Sequence, residues 1–210
     1  MAVHPDVLQG NPLAQSDLDE VREVLKRIID DGHRASHIIA SIRAMFGKDH
    51  REKSPVNIRD LVGEVLALVQ GELESQRVSL QVELHQELPQ VMGDRVQLQQ
   101  VLLNLIMNAV EAMSSVEDRE RSLLVKSEFH GARDVLIMVE DTGPGIDSKD
   151  MDCIFDAFFT TKSHGMGLGL SICQSIVESL GGLLWASTRI PHGTVFYVQL
   201  PSGVSVANED

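Results

Sequence analysis

The chain has 210 residues, 43% hydrophobic and 23% charged, a composition that buries a core without disulfide or metal staples and excludes global disorder. Its net charge of -13 is uneven: residues 1–54 carry 8 Lys/Arg against 9 Asp/Glu, and residues 55–210 carry 10 against 22. That balance argues against nucleic acid as a partner, because phosphate contacts need a basic footprint. No apolar run approaches the roughly 18 residues of a membrane span, so a transmembrane segment is excluded, no direct membrane contact of this stretch is expected, and any anchor would belong to a longer parent chain.

Residues 1–15 carry Pro5, Gly10 and Pro12 without periodicity and are read as a flexible lead-in. They lack the basic-then-apolar pattern of a secretory signal. Ser16 then looks like a helix N-cap, with Asp17, Asp19 and Glu20 in the first turn. Leu18, Val21, Leu25, Ile28, Gly32, Ala35, Ile39, Ile42 and Phe46 follow in steps of three and four, the seam of a long coiled-coil-like helix over 16–47. Val24, Ile29, Ile38 and Met45 widen that seam as in a helical bundle. One such helix cannot bury its own stripe and needs partner helices. Residues 48–54 form a charged linker.

The second part, 55–203, mixes strands and helices without regular βαβ alternation. Strands are expected over 56–58, 78–84 and 90–92, and as hairpins over 122–128 with 134–140 and 183–188 with 194–200. Helices are expected over 59–74, from Asp94 as cap to about Met113, over 147–154, and over 167–180 up to Gly181-Gly182. This pattern predicts an α+β domain, a two-layer sandwich of a mixed sheet packed on helices, preceded by the one long helix. Residues 204–210 are a tail. Cys153 and Cys173 are the only cysteines and form no CxxC, which fits a reduced, cytoplasmic compartment and neither a disulfide framework nor a zinc site.

Three features carry chemistry. On the apolar helix from Asp94, the residues Gln97, Gln100, Asn104, Asn108 and Glu111 recur at helical spacing and share one face. Stranded polar groups there are costly, so the stripe either meets a ligand or Mg²⁺, which prefers oxygen donors, or forms a satisfied amide ladder at the domain edge. Directly after a strand comes Glu140-Asp141-Thr142-Gly143-Pro144-Gly145-Ile146. Asp141 either aims a carboxylate at an exocyclic amine or sits in a simple Asp-Gly turn. Last, Gly165, Gly167 and Gly169 alternate into a helix start beside Lys162. They read as a phosphate cradle without a Walker A pattern, or as a flexible loop with an exposed lysine.

The order Asn104…Asn108, DTGPGI, Phe155-Asp156-Ala157-Phe158-Phe159 and GMGLGL, with Gly193-Thr194 before the last strand, resembles the N, G1, F and G2 boxes of sensor histidine kinases. These belong to the wider superfamily of gyrase B, the 90 kDa heat-shock chaperone and histidine kinases. The resemblance spans about 55–201, and Asn108–Met113 (NAVEAM) and the Arg34–Phe46 region are similar to the oxygen- and dicarboxylate-sensing subgroup. It implies an ATP-binding catalytic domain. Asn104 and Asn108 would face the triphosphate, with Asn108 on Mg²⁺. Asp141 would bind the adenine amine, with Gly143, Gly145 and Ile146 shaping that pocket and Thr194 supporting the base. Lys162 would reach the phosphates, Asn104 and Lys162 being the catalytic pair. Gly165, Gly167, Leu168, Gly169 and Leu170 would form the hinge and cradle of a lid over 156–166. The resemblance further implies phosphotransfer from ATP to a histidine and thence to an aspartate of a response-regulator receiver domain, with the 16–47 helix as half of a homodimeric hairpin.

Two departures stand out. Many family members place a Lys or Arg where this sequence has Glu111, three residues after Asn108. Hydrolytic branches place a Glu base where this sequence has Asn104, which favours phosphotransfer over hydrolysis. None of the eight histidines precedes an acidic residue, so the phosphoacceptor motif is absent from this sequence. His33 and His37 are read as structural or solvated, and the chain as a piece of a longer kinase. The competing readings are a degenerate, binding-only ATP module and an anti-sigma-type serine kinase, which would not need the 16–47 helix.

Overall fold

A computed structural model describes residues 53–131, 134–162 and 165–203, together with Val21 and Val24. The chain divides into two units, Met1–Phe46 and Gly47–Asp210. Of the first, Val21 and Val24 are helical and exposed. The lead-in 1–15, the rest of the expected 16–47 helix, linker residues 48–52 and the tail 204–210 lie outside the described residues. Among the described residues no helix is long and apolar enough to cross a membrane.

The second unit runs β1 (Ser54–Val56), α1 (Ile58–Ser75), β2 (Ser79–Leu84), β3 (Val91–Gly93), α2 (Arg95–Met113), β4 (Ser122–His130), β5 (Asp134–Asp141), α3 (Gly169–Ser179), β6 (Leu183–Thr188) and β7 (Thr194–Leu200). Five strands form one mixed sheet in the order β2-β4-β5-β7-β6. β2 is parallel to β4, and the other neighbours are antiparallel. A parallel pair needs a crossover, and α2 lies in the connection that supplies it. β1 and β3 make a separate two-stranded ribbon.

The period-2 alternation of the strands makes the sheet one-sided. Val125, Val139 and Phe196 are in register with Ala186 on the helix-facing side, and the three large residues are buried. Lys126, Met138, Tyr197 and Trp185 form the next row on the opposite, half-exposed face, where the Trp185 and Tyr197 rings stack at 5.1 Å. On the buried face α2 packs between α1 and α3 and against β5, and α3 against β6. The two-layer α+β sandwich read from the sequence is the fold observed.

The helix starts follow their caps. Asn57 Oδ1 accepts from the Arg59 N–H at 2.9 Å, so the expected strand at 56–58 ends at Val56 and α1 begins at Ile58. Asp94 Oδ1 accepts from the Val96 N–H at 2.8 Å and starts α2 as expected. Gly167 has φ +67, which is incompatible with a right-handed helix, so α3 begins at Gly169 rather than 167. The expected helix 147–154 is a series of turns. Its backbone bonds run from Asp150 N–H to Asp147 O, Cys153 N–H to Asp150 O and Asp156 N–H to Cys153 O, each spanning three residues. Ile154 is the one buried side chain there, so the segment has no apolar stripe to hold a helix against the core.

Candidate functional site

Helix α2 acts as a ruler along which the candidate residues are arranged. Asn104, Asn108 and Ala112 recur every four residues, about 6 Å apart along the axis and spanning about 12 Å. At the Asn104 level the start of α3 approaches so closely that a Cβ on Gly169 would lie 2.7 Å from Asn104 Oδ1. The Asn104 amide donates from Nδ2 to Cys173 Sγ at 3.2 Å, one turn further along α3. At the Asn108 level, Lys162 Nζ donates to Asn108 Oδ1 at 2.9 Å and pairs with the Glu111 carboxylate. At the Ala112 level, a Cβ on Gly143 would lie 3.3 Å from Ala112 Cβ and 2.7 Å from Asp141 Oδ1. Asn104, Asn108 and Ala112 on α2 thus face three other segments.

Asp141 ends β5 on the buried face and is 2% exposed. Its Oδ1 accepts from the Gly143 N–H at 2.7 Å, and the Thr194 N–H also bonds the carboxylate. Burial pushes the Asp141 carboxyl up from 3.8 to about 6. The Gly143 and Thr194 N–H groups and the Arg189 charge pull the other way. The turn after Asp141 needs its glycines. Gly193 has φ +111, and a Cβ there would run into the Asp141 carbonyl oxygen. Gly145 has φ +85 and would set its Cβ 3.2 Å from the Gly193 carbonyl oxygen. Thr194 is buried beside this contact, while Ile146 is half-buried where the chain leaves the turn.

The turn is braced from outside. Arg119 donates from Nε to Thr142 O at 3.1 Å and from Nη2 to Gly143 O at 2.9 Å. Thr142 Oγ1 accepts from the Ser122 N–H at 2.8 Å and donates to Glu120 O at 2.9 Å. Arg189 pairs with Glu140. Sequence reasoning missed Arg119, Cys173 and Arg189. Arg119 has partners 23 and 24 residues away, so no local pattern marks it. Cys173 lies four residues after Gly169, a helical spacing that could have marked it.

The glycine-rich stretch is held to the preceding phenylalanines. The Phe158 N–H donates to Gly167 O at 2.8 Å, and a Cβ on Gly167 would collide with the Phe158 backbone. Phe158 itself has φ +71 and an exposed ring. Thr160 Oγ1 accepts from the Lys162 N–H at 3.1 Å, and a Cβ on Gly165 would lie 2.7 Å from the same oxygen. Ser163 and His164, within the expected lid, lie outside the described residues. Leu168 and Leu170 flank the start of α3 and are half-buried. Whereas α1 and α2 begin with Asn and Asp caps, α3 has no side-chain cap. Its first-turn N–H groups therefore offer donors and the positive end of the helix dipole.

The donor chemistry fits a hard divalent ion. Asn104 and Asn108 offer amide oxygens, and Asn108 Oδ1 already takes a cationic group, the Lys162 ammonium. Among the described residues no cluster of three or more His, Cys, Asp or Glu is present. Magnesium keeps waters and phosphate oxygens and needs few protein ligands, so a sparse amide set suits it.

A mixed sheet on three helices, with an acidic turn, an asparagine stripe and an uncapped helix start converging along α2, defines a nucleotide-binding α/β sandwich. Residues 93–204, more than half of the chain, match the family described as histidine kinase-, DNA gyrase B-, and HSP90-like ATPase. The sensor histidine kinase TmoS of Ectopseudomonas mendocina is 39% identical over 183 residues, 87% of this chain and 19% of that protein. The sensor protein FixL of Bradyrhizobium diazoefficiens is 38% identical over 184 residues, 87% of this chain and 36% of that protein. The catalytic domain of the histidine kinase ThkA superposes with a TM-score of 0.65 at 34% identity, covering 72% of this chain and 97% of that domain. The same kinase in complex with the response regulator protein TrrA gives a TM-score of 0.67 at 27% identity, over 93% of this chain and 53% of that one. The chain belongs to this ATPase family, and its second unit is an ATP-binding catalytic domain of the sensor histidine kinase type. It spans about a fifth to a third of the length of these two curated relatives.

Proposed function

We propose that this chain binds ATP with Mg²⁺ and presents the γ-phosphoryl group to a histidine for transfer, as the catalytic part of a sensor histidine kinase. The observation that carries this reading is the three-level arrangement on α2, which places a buried carboxylate and an uncapped helix start beside α2 positions about 12 Å apart along its axis. At one end, ionised Asp141 accepts a hydrogen bond from the adenine exocyclic amine, and the glycine turn with Gly145 and Ile146 shapes the base pocket. At the other, the first-turn N–H groups of α3 and the glycines before it cradle phosphate oxygens. Asn104 and Asn108 turn their amides toward the triphosphate, and Lys162 leaves Glu111 to meet it. When bound through Asn108, Mg²⁺ supplies charge neutralisation at the phosphates.

Catalysis on this reading is positioning and charge stabilisation, with the acceptor nitrogen in line with the γ-phosphoryl. By the resemblance, Asn104 stands where hydrolytic branches carry a water-activating Glu, and an amide cannot serve as that base. The histidine comes from a dimerisation helix, and the 16–47 segment forms part of the homodimer. A response-regulator aspartate then receives the phosphoryl group, in the cytoplasm. The resemblance of 93% of the chain to a kinase in complex with a response regulator supports that assignment.

Calorimetric titration of the full chain with a non-hydrolysable ATP analogue, with and without Mg²⁺, tests the reading. Metal-dependent binding that collapses in Asp141→Asn supports it. Phosphohistidine formed on an added dimerisation hairpin separates a kinase from a binding-only module, and phosphoserine on a partner would identify the anti-sigma-type alternative. No binding by the unmodified chain sinks the nucleotide assignment.

A further inference from the structure

Glu111 follows Asn108 by three residues on α2 and pairs with Lys162, whose ammonium also donates to Asn108 Oδ1 at 2.9 Å. Three groups of different chemistry thus meet at the middle level of the ruler: a cation, an anion and an amide oxygen. The Lys162 and Glu111 side chains are 42% and 56% exposed, so the pair can be remade without unpacking the core. The backbone around Lys162 is tied by Thr160 Oγ1 to the Lys162 N–H at 3.1 Å and by the Gly165 N–H to Lys162 O at 3.4 Å. The other lysine of the 134–188 stretch, Lys149, pairs locally with Asp147 at 3.2 Å.

We infer that Glu111 sets the metal dependence of nucleotide binding, by neutralising Lys162 beside the amide oxygen of Asn108. The inference rests on the proposed ATP site. A metal-free triphosphate entering there meets one positive and one negative side chain, which together offer it no net charge. If Lys162 swings to the phosphates, the Glu111 carboxylate is left facing them, and like charges at this range repel. A divalent cation removes that penalty by lowering the charge of the incoming nucleotide and by competing for the amide oxygen that the ammonium holds. Glu111 thereby acts as a specificity-determining residue that favours the metal–nucleotide complex over the free nucleotide.

The test is titration of the full chain with ADP and with a non-hydrolysable ATP analogue, in Mg²⁺ and in EDTA, for wild type, Glu111→Gln and Glu111→Lys. The Gln variant should bind metal-free nucleotide roughly three- to tenfold more tightly than wild type, with less than about a twofold change in Mg²⁺. The Lys variant should narrow the gap between the two conditions further, and high salt should shrink both effects. Because Glu111 is exposed, the unliganded thermal midpoints should stay together, which reports that the variants fold. An unchanged ratio of affinities in the two conditions overturns the inference. So does a selective loss of Mg²⁺-nucleotide binding in the Gln variant, which would make Glu111 a holder of the metal or its waters. Failure of wild type to bind nucleotide in either condition overturns the ATP reading itself, whereas wild-type binding with an unaltered ratio in the variants removes only the role of Glu111.

Discussion

The Asp141 and Lys162 regions beside α2 are built differently. Around Asp141 the chain is fixed by backbone: Gly143 and Thr194 N–H groups on a buried carboxylate, Gly193 against the Asp141 carbonyl, and Arg119 on the turn's outer carbonyls. Around Lys162 the chain is fixed by half-exposed side chains, an ion pair with Glu111 and one bond to Asn108. On the proposed reading the first recognises a flat group of fixed shape, and a preformed pocket lowers the ordering cost of binding it. On the same reading the second accepts a charged chain that arrives with a metal, and its contacts are ones that water already competes for. Rigidity and exchangeability are divided between two levels of one helix.

The contrast is broken most severely at Gly193. A Cβ there meets backbone on a φ of +111, and no side-chain rotation relieves it. Gly193→Ala should destabilise the domain by about 3 kcal/mol or more and abolish nucleotide binding. Gly165→Ala at the opposite end carries no positive-φ penalty and meets the Thr160 hydroxyl, so it should cost about 1 kcal/mol or less. Denaturant unfolding of both variants checks this, and equal losses would erase the difference between the ends.

Asp141 gives the next largest effects, and they have opposite signs. Asp141→Asn should weaken adenine nucleotide binding about a hundredfold, because the amide replaces a charged acceptor. Without nucleotide the same change should relieve a cost. The Asp141 carboxyl is raised from 3.8 to about 6 by burial, so the folded state holds the proton more tightly than the unfolded state. Stability from this group is therefore greatest below pH 4 and falls as pH rises toward 6, by an amount on the order of 2–3 kcal/mol. The Asn variant should lose that slope, as unfolding measured at pH 4.5, 6 and 7.5 would reveal. Retention of the slope would place its origin in another group.

The buried end was the more legible in sequence, and the reason is physical. Its chemistry rests on contiguous residues, Asp141 through Gly145, whose types are dictated by local backbone. Asn104 and Asn108 were legible because a polar stripe contradicts an apolar helix. The pairing of Lys162 with Glu111 joins residues 51 apart and has no local signature, although the acid at position 111 stood out. Arg119 was illegible for the same reason. Asn57 was misassigned to a strand because β-branched neighbours on both sides masked its capping role. The segment 147–154 forms turns rather than the expected helix because Ile154 alone is buried there, too little apolar surface to hold a helix.

Cys173 holds the Asn104 amide and predicts a smaller effect. Burial pushes its thiol up to about 12, so it stays neutral and unreactive in the folded domain. At pH 8 an alkylating reagent should modify half-buried Cys153 and spare Cys173 until the domain unfolds. Cys173→Ala removes the partner of the Asn104 amide, whose hydrogen bond spans 3.2 Å, and should cost about 1–2 kcal/mol. Cys173→Ser retains an acceptor and should recover part of any lost nucleotide affinity, which packing alone would not explain.

The smallest effect belongs to the exposed pair. Lys162→Met should change the stability of the unliganded domain by less than about 1 kcal/mol, because an ion pair at this exposure is screened by water and salt. Its effect on nucleotide binding should be much larger than its effect on folding, whereas Gly193→Ala should lose both together. Unfolding and titration of the two variants side by side therefore test the division of labour along α2. If Lys162→Met unfolds the domain as Gly193→Ala does, the pair is a structural clasp, and the exchangeable end proposed here does not exist.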